Sequence, residues 1–588
     1  MFPRRFILAS FIAAASAGWC PAANQFVQHN LVSDLAGLAD HQDANLVNAW
    51  GICASSSSPF WISDNGTGLS TLYDGNGSII PLVVTIPAPA NVDPPGAPSG
   101  CVFNSTQSFP LNGKPASFIF STEQGTIVGW NGGAAGTIVA DNSASGAVYK
   151  GLAIANTPSG PMLYAANFNA GTVDMWDGNL NWVSMPGAFS DSRIPAGFAP
   201  FNIQSLNGLL YVTYAKQDDE KHDDVAGAGN GYVDTYNAEG VLLQRLISAG
   251  ALNSPWGLAV APARFGNFSN AILVGNFGDG KINAYSSFNG SWIGNLKDAY
   301  GNDIEISGLW GLMVGNGGKG GDAGALYFTA GIAGPDTVES HGLFGLLQAD
   351  PLITSVFNAA SYLPAIAPGA FGSVKGFNLA ATTRSAGSAD IINGQLPIAL
   401  DGVSLTVDGR PAYLSYVSPE QINFIAPPDT AMGTVPVVVY NNEVASASGT
   451  AWLQPDAPGF FLTGTYAMAT HADGSPVGAT TLVPGKSTPA IPGETVSFYG
   501  TGFGPTNPPM DGRVLYQPIP AENWPVVTIG GLKATVIWAG LTAAGAYRID
   551  VVIPAIPKGN TTTVDVPVWA TVGGTYMSQP GVLLTVMP

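Results

Sequence analysis

Apolar and small or polar residues alternate in short runs along the first 350 residues, as a strand with one buried face requires. The runs recur. A turn-led apolar strand reads AWGIC (49–53), PSGCV (98–102), YKGLA (149–153), PFNIQ (200–204), PWGLA (255–259) and LWGLM (309–313), centred on Gly51, Gly100, Gly151, Asn202, Gly257 and Gly311. Successive centres lie 49 to 55 residues apart. A second strand follows each: FWISDN (60–65), FIFSTE (118–123), LYAANF (163–168), LYVTYA (210–215), ILVGNF (272–277) and LYFTAG (326–331). A Gly-led third strand ends on Trp130, Trp176, Tyr236 or Tyr285, with Tyr73 in the same place in the first unit. These aromatics suit packing between neighbouring sheets. A period near fifty with β-rich content predicts a six-bladed β-propeller over residues 24–350. The last unit lacks an outer strand, and QFVQHNLVSD (25–34) is placed to supply it and close the ring.

After Asp350 the pattern changes to two related units. GFNLA (376–380) answers GTGFGP (500–505), VSLTVDGRPAYLSYVSPEQINFIAP (403–427) answers VVTIGGLKATVIWAGLTAAGAYRIDVVIP (526–554), and TVPVVVYNNEVAS (434–446) answers VDVPVWATVGGTYMS (564–578). Short alternating strands with Gly/Pro turns predict two immunoglobulin-like β-sandwich domains, at 351–455 and 456–588. The fold class expected is therefore all-β throughout.

Composition narrows the setting. Arg4 and Arg5, the apolar run 6–18 and the small residues after it read as a signal peptide over residues 1–23. Trp19 before Cys20 does not fit a lipoprotein site. No later segment is apolar for long enough to span a bilayer as a helix. The expectation is a secreted or extracellular protein, periplasmic or attached at a cell surface. Net charge is −19, which argues against nucleic acid and anionic membranes as partners and suits solubility. Cys53 and Cys101 lie on the inner strands of neighbouring units. Export permits a disulfide between them, but Cys53 stands two positions after its glycine and Cys101 one, so simple register opposes it.

The residues 355–588, with NAASY, SPEQINF, APG and YGTGFGP, resemble a tandem C-terminal module of exported bacterial proteins, akin to the IPT/TIG immunoglobulin-like group. The resemblance implies stalks, spacers or adhesion modules and no catalytic residue. NLVNAWGI (45–52), SDNGTGLSTLYDG (63–75), YAANFNAGTVDMWDG (164–178), LNSPWGLAVAP (252–262) and VGNFGDGKINAY (274–285) resemble an uncharacterised exported bacterial family allied to NHL-type propellers, for which no activity is established.

Candidate chemistry gathers on one propeller face, where loops lead into first strands and out of second strands. It offers Trp50, Asp64, Asn65, Glu123, Asn167, Asp218, Trp256, Asn276 and Trp310, a polar site with apolar walls. The charged insertion KQDDEKHDD (216–224) reads either as a ligand loop or as a solvated excursion. His41, His222 and His341 map to the same face beside carboxylates. With Asp218 and Asp223 they form a candidate divalent-metal site, for zinc if imidazoles take part and calcium if carboxylates alone do. The other reading is unrelated surface histidines, since no local ligand spacing supports the cluster. DNGTG (64–68) and DGNG (74–77) read first as turns. HExxH, GxSxG, P-loop and CxxC motifs are absent. The leading expectation is an extracellular binding protein for a glycan, peptide or small molecule. The alternative is a metal-dependent, lactonase-like hydrolase on the same face, with Asp64 or Glu123 as base.

Overall fold

The computed structural model describes residues 25–588, apart from 91, 264, 299, 335–336, 443, 447, 510–511 and 558–561. The expected signal peptide lies outside the described residues. The chain is all-β, and its N-terminal part is propeller-like: small antiparallel sheets stand side by side around an axis. Apart from the last, each sheet runs outward in chain order, for example Ala49–Cys53, Phe60–Asp64, Leu69–Tyr73 and Ile79–Thr85. The innermost strands are Ala49–Cys53, Pro98–Phe103, Tyr149–Thr157, Phe198–Leu206, Pro255–Val260 and Leu309–Val314. Each packs on the next, and Leu309–Val314 returns to Ala49–Cys53. Phe26–Ser33 pairs antiparallel with His341–Ala349, Phe26 opposite Ala349, as the outer strand of the last sheet.

Apolar side chains fill each gap between neighbouring sheets, because both faces of an internal sheet are covered. Tyr73 from the first sheet stacks on Phe344 of the last at 5.7 Å, which joins the two ends of the chain segment. Phe26 packs against Phe265 and Phe268 in the adjoining gap.

Cys53 and Cys101 form a disulfide with Cα atoms 5.8 Å apart. Counting register alone opposed this bond, and the reason it forms is geometric. Cys53 pairs with Trp61 and Cys101 with Phe120, so the cysteines occupy successive rather than equivalent positions and point to opposite faces of their own sheets. Sheets stacked around an axis meet with opposite faces. The one-residue offset is what aims the two sulfurs at each other, within a shared core containing Trp61, Leu72, Phe120 and Val128.

The rest of the chain forms two further β units. Strands between Leu352 and Leu453 make two sheets around a core that includes Val374, Leu405, Phe424 and Val437. Strands between Gly459 and Val586 make two more around Phe498, Val527, Ile549 and Val568.

Candidate functional site

The innermost strands carry the site. Each has a β-bulge where it nears the axis, for instance between Ala49 and Ile52 and between Pro255 and Gly257. The residue at the centre must be small because neighbouring backbones touch there: a Cβ on Gly257 would lie 2.5 Å from the Trp310 carbonyl oxygen. Asn202 takes that place in one strand, and its Nδ2 donates to the Trp256 carbonyl at 2.7 Å. The residue before each centre is Trp50, Ser99, Lys150, Phe201, Trp256 or Trp310.

Four of these six side chains are aromatic, and they plug the axis. Trp50 and Trp310 stack at 3.7 Å, Phe277 stacks on the other side of Trp310 at 4.1 Å, and Trp256 meets both indoles edge-on. All three tryptophans are buried. They form the floor of the site instead of the apolar walls around a channel that the sequence suggested. Among the described residues, the indole N–H groups of Trp256 and Trp310 find no hydrogen-bond partner.

Lys150 lies against this floor with 1% of its side chain exposed. Its ammonium is 5.0 Å from the Trp50 ring centre and 6.0 Å from that of Phe168, within range of cation–π attraction. A buried ammonium needs counter-charge. Glu123 and Asp223 supply it, the latter at 3.2 Å. Burial alone would lower the lysine's pKa; the two carboxylates outweigh it and hold the pKa above its ordinary value.

A hydrogen-bonded chain extends from that pair across the mouth. Asn65 Nδ2 donates to Glu123 Oε2 at 2.8 Å. Asn48 Nδ2 donates to Asn65 Oδ1 at 3.3 Å and to Glu339 Oε1 at 3.1 Å, and Trp50 Nε1 donates to Asn48 Oδ1 at 2.9 Å. Glu339 holds a left-handed backbone, φ 74°, a conformation that costs a non-glycine residue energy and persists where the surroundings enforce it. Burial, followed by the charge of Glu123, pushes its carboxyl up to about 7. On the other side of Lys150, His222 Nδ1 lies 3.0 Å from Asp223 Oδ1. That hydrogen bond raises the imidazole and holds the Asp223 carboxyl well below the usual range, with Lys150 adding to the latter effect.

The structure thus gathers Glu123, Asn65, His222 and Asp223 from the residues singled out in the sequence. Others serve the scaffold. Asp64 is sealed in, accepts from the Thr71 amide at 2.9 Å, and is raised well above the carboxylate range by burial, so it is not placed to act as a base at the mouth. Asn167 ties Asp174 to its turn, with Nδ2 donating at 2.9 Å. Asn276 donates to Asp279 at 3.0 Å and to the Ala251 carbonyl at 2.8 Å. Asp218 accepts from the His222 amide at 2.9 Å and shapes the insertion.

The proposed three-histidine metal centre does not assemble. His41 sits exposed in the short strand His41–Gln42 beside Val32, and His341 pairs with Asp34 at 2.5 Å. Among the described residues, the group of potential metal donors that does come together is Glu123, His222 and Asp223, within 4.8 Å of one another. One imidazole and two carboxylates are donors of the kind that zinc takes. Lys150 already bonds both carboxylates, however, and a dication there would face a buried ammonium.

Lys150, Asn48 and Glu339 were missed in the sequence. For Lys150 a signal existed: in YKGLA (149–153) a lysine fills the place that tryptophan holds in three sister strands. Asn48 and Glu339 carry no such mark, since their link spans 291 residues.

Searches against protein-family models found no match. Two uncharacterised proteins of Acanthamoeba polyphaga mimivirus are similar to this chain. One is 32% identical over 293 residues, covering 48% of this chain and 72% of its own length. The other is 32% identical over 336 residues, covering 55% and 86%. The chain belongs to their family. No activity comes with that membership, and the relatives are viral where the resemblance in the sequence pointed to bacterial proteins. Among solved structures, this family member is similar to a streptogramin B lyase, with TM-score 0.32, 12% identity, and 55% of this chain and 97% of that one covered. It is also similar to a gluconolactonase from Xanthomonas campestris, with TM-score 0.29, 13% identity, and 56% and 98% covered.

Proposed function

We propose that this protein is an exported binding protein whose ligand sits at the axial mouth of a six-bladed propeller. The two C-terminal units serve as immunoglobulin-like spacers or attachment modules. The observation that carries the reading is Lys150, a buried cation closed in by two carboxylates above an aromatic floor. Buried charges are costly and add little net stability, and a perturbed ionisable group at a cleft with a specific charge partner marks a candidate functional site. Unpartnered indole N–H groups in the same floor and a strained Glu339 beside it add support. The Cys53–Cys101 disulfide supports export, since such bonds persist in oxidising compartments. Among the described residues no helix is long and apolar enough to cross a membrane.

The test is a glycan and peptide array probed with the wild-type protein and with Asn65→Ala and Glu339→Gln variants. A bound ligand whose retention drops in both variants supports the reading. A ligand held equally by all three proteins places recognition elsewhere and refutes it.

The Glu123, His222 and Asp223 group favours a second reading, a metal-dependent hydrolase. It requires the ion to displace Lys150 from both carboxylates. Elemental analysis decides: stoichiometric zinc in the wild type, lost in His222→Ala, would put the hydrolase first.

A further inference from the structure

We infer that the ligand of this mouth carries a carboxylate, which takes the place of Asp223 on the Lys150 ammonium as the tip of the 216–230 insertion lifts. The inference rests on the binding reading above and names its chemistry.

The two carboxylates on Lys150 are not alike. Glu123 is 13% exposed and is fixed from behind by Asn65, so it is part of the wall. Asp223 is 66% exposed and stands on the returning side of a short hairpin, its carbonyl accepting from the Asp218 amide at 2.9 Å. The base of that hairpin is tied down independently. Gln217 donates its amide to the Gly197 carbonyl at 2.8 Å, Val225 donates to the Lys216 carbonyl at 2.8 Å, and Gly227 donates to Asn253 Oδ1 at 2.6 Å. Asp219, Glu220, Lys221, His222 and Asp223 are all exposed. Letting go of Lys150 therefore breaks one ion pair whose acidic partner is solvated but whose ammonium is buried, so the incoming group must replace it, and it leaves the anchors of the loop in place.

What replaces Asp223 must restore the balance. With Asp223 in place the ammonium is 1% exposed and bonds two carboxylates; without Asp223 it loses one acceptor and one negative charge. A ligand cation would meet that ammonium at close range. A neutral ligand would leave the donor without its second counter-charge. A carboxylate reproduces both the charge and the geometry of Asp223. Asp223 is then a built-in competitor.

The experiment uses full-length protein and the simplest probe, propionate, titrated at constant ionic strength against chloride, with tryptophan fluorescence and the His222 ring NMR signals as readouts. Wild type should respond saturably. Asp223→Ala, which removes the competitor and leaves the anchors of the loop intact, should reach half-saturation at about fivefold lower propionate or less, since a pair with a buried ammonium is worth at least as much as the best exposed pair. Lys150→Met should lose the response; its fold is checked by near-UV circular dichroism, and the Asp223→Ala comparison stands without it. No saturable response beyond chloride in either wild type or Asp223→Ala overturns the inference. So does an unchanged midpoint in Asp223→Ala. A neutral array ligand dependent on Asn65 and Glu339 would then leave the binding site standing with a different ligand class. If propionate binds, glucuronate against N-acetylglycine tells a sugar acid from a peptide carboxylate.

Discussion

Replacing Glu339 by glutamine isolates the cost of charge at the mouth. In the folded protein this carboxyl keeps its proton up to about 7, against an ordinary value of 4.5, first because it is buried and next because Glu123 is near. The folded state therefore binds the proton more tightly than the unfolded chain. The stability this gives is fully present below pH 4.5 and is lost as pH rises through 7. A rise of that size corresponds to about 3 kcal/mol, or about 2 kcal/mol after allowing for partial exposure to solvent. Glutamine keeps an oxygen for the Asn48 amide, whose bond to Glu339 is 3.1 Å long, and never ionises. Wild type and variant should be equally stable near pH 4.5, and the variant should gain about 2–3 kcal/mol above pH 7. The assay is paired urea denaturation across this range, followed by tryptophan fluorescence. Taking the difference cancels the titrating groups that do not interact with Glu339. A difference that stays flat from pH 4.5 to above 7, or a variant less stable at high pH, would refute the placement of a buried, proton-holding carboxyl at the mouth.

Three other outcomes follow from the packing. Replacing Cys53 and Cys101 together by alanine opens a link spanning 48 residues and should cost about 2–4 kcal/mol, with reducing agent then having no further effect in denaturation. Gly257→Ala puts a Cβ 2.5 Å from the Trp310 carbonyl and 2.8 Å from Leu312 Cγ, so it should destabilise by about 3 kcal/mol in the same assay; a loss under about 1 kcal/mol would mean the inner strands are not so tightly apposed. Deleting 26–33 removes the partner of His341–Ala349 and exposes its edge, which should shift the protein to aggregates in size-exclusion chromatography; a monodisperse product of unchanged stability would contradict the pairing.

The sequence by itself determined the strands and their recurrence. Alternation sets which strand face is buried, and Gly51, Gly151, Gly257 and Gly311 mark where backbones converge; both are local properties that a linear pattern records. It also placed Glu123, Asn65, His222 and Asp223 on one face, because loops at one end of every repeat share that face. Tertiary structure decided the rest. Which face of one sheet meets which face of the next is a property of stacking around an axis, and it turned the Cys53–Cys101 offset from an objection into the condition for the bond. Whether an aromatic is floor or wall depends on how the inner strands close, and that buried Trp50, Trp256 and Trp310. His41, His222 and His341 share a face in the sequence but not a point in space, since strand pairing holds His41 beside Val32 and an ion pair holds His341 beside Asp34. Lys150 shows the division most plainly. The chain marks it only as a lysine among tryptophans. Its charge acquires a role because Glu123 and Asp223, from two other parts of the chain, arrive at the same buried ammonium.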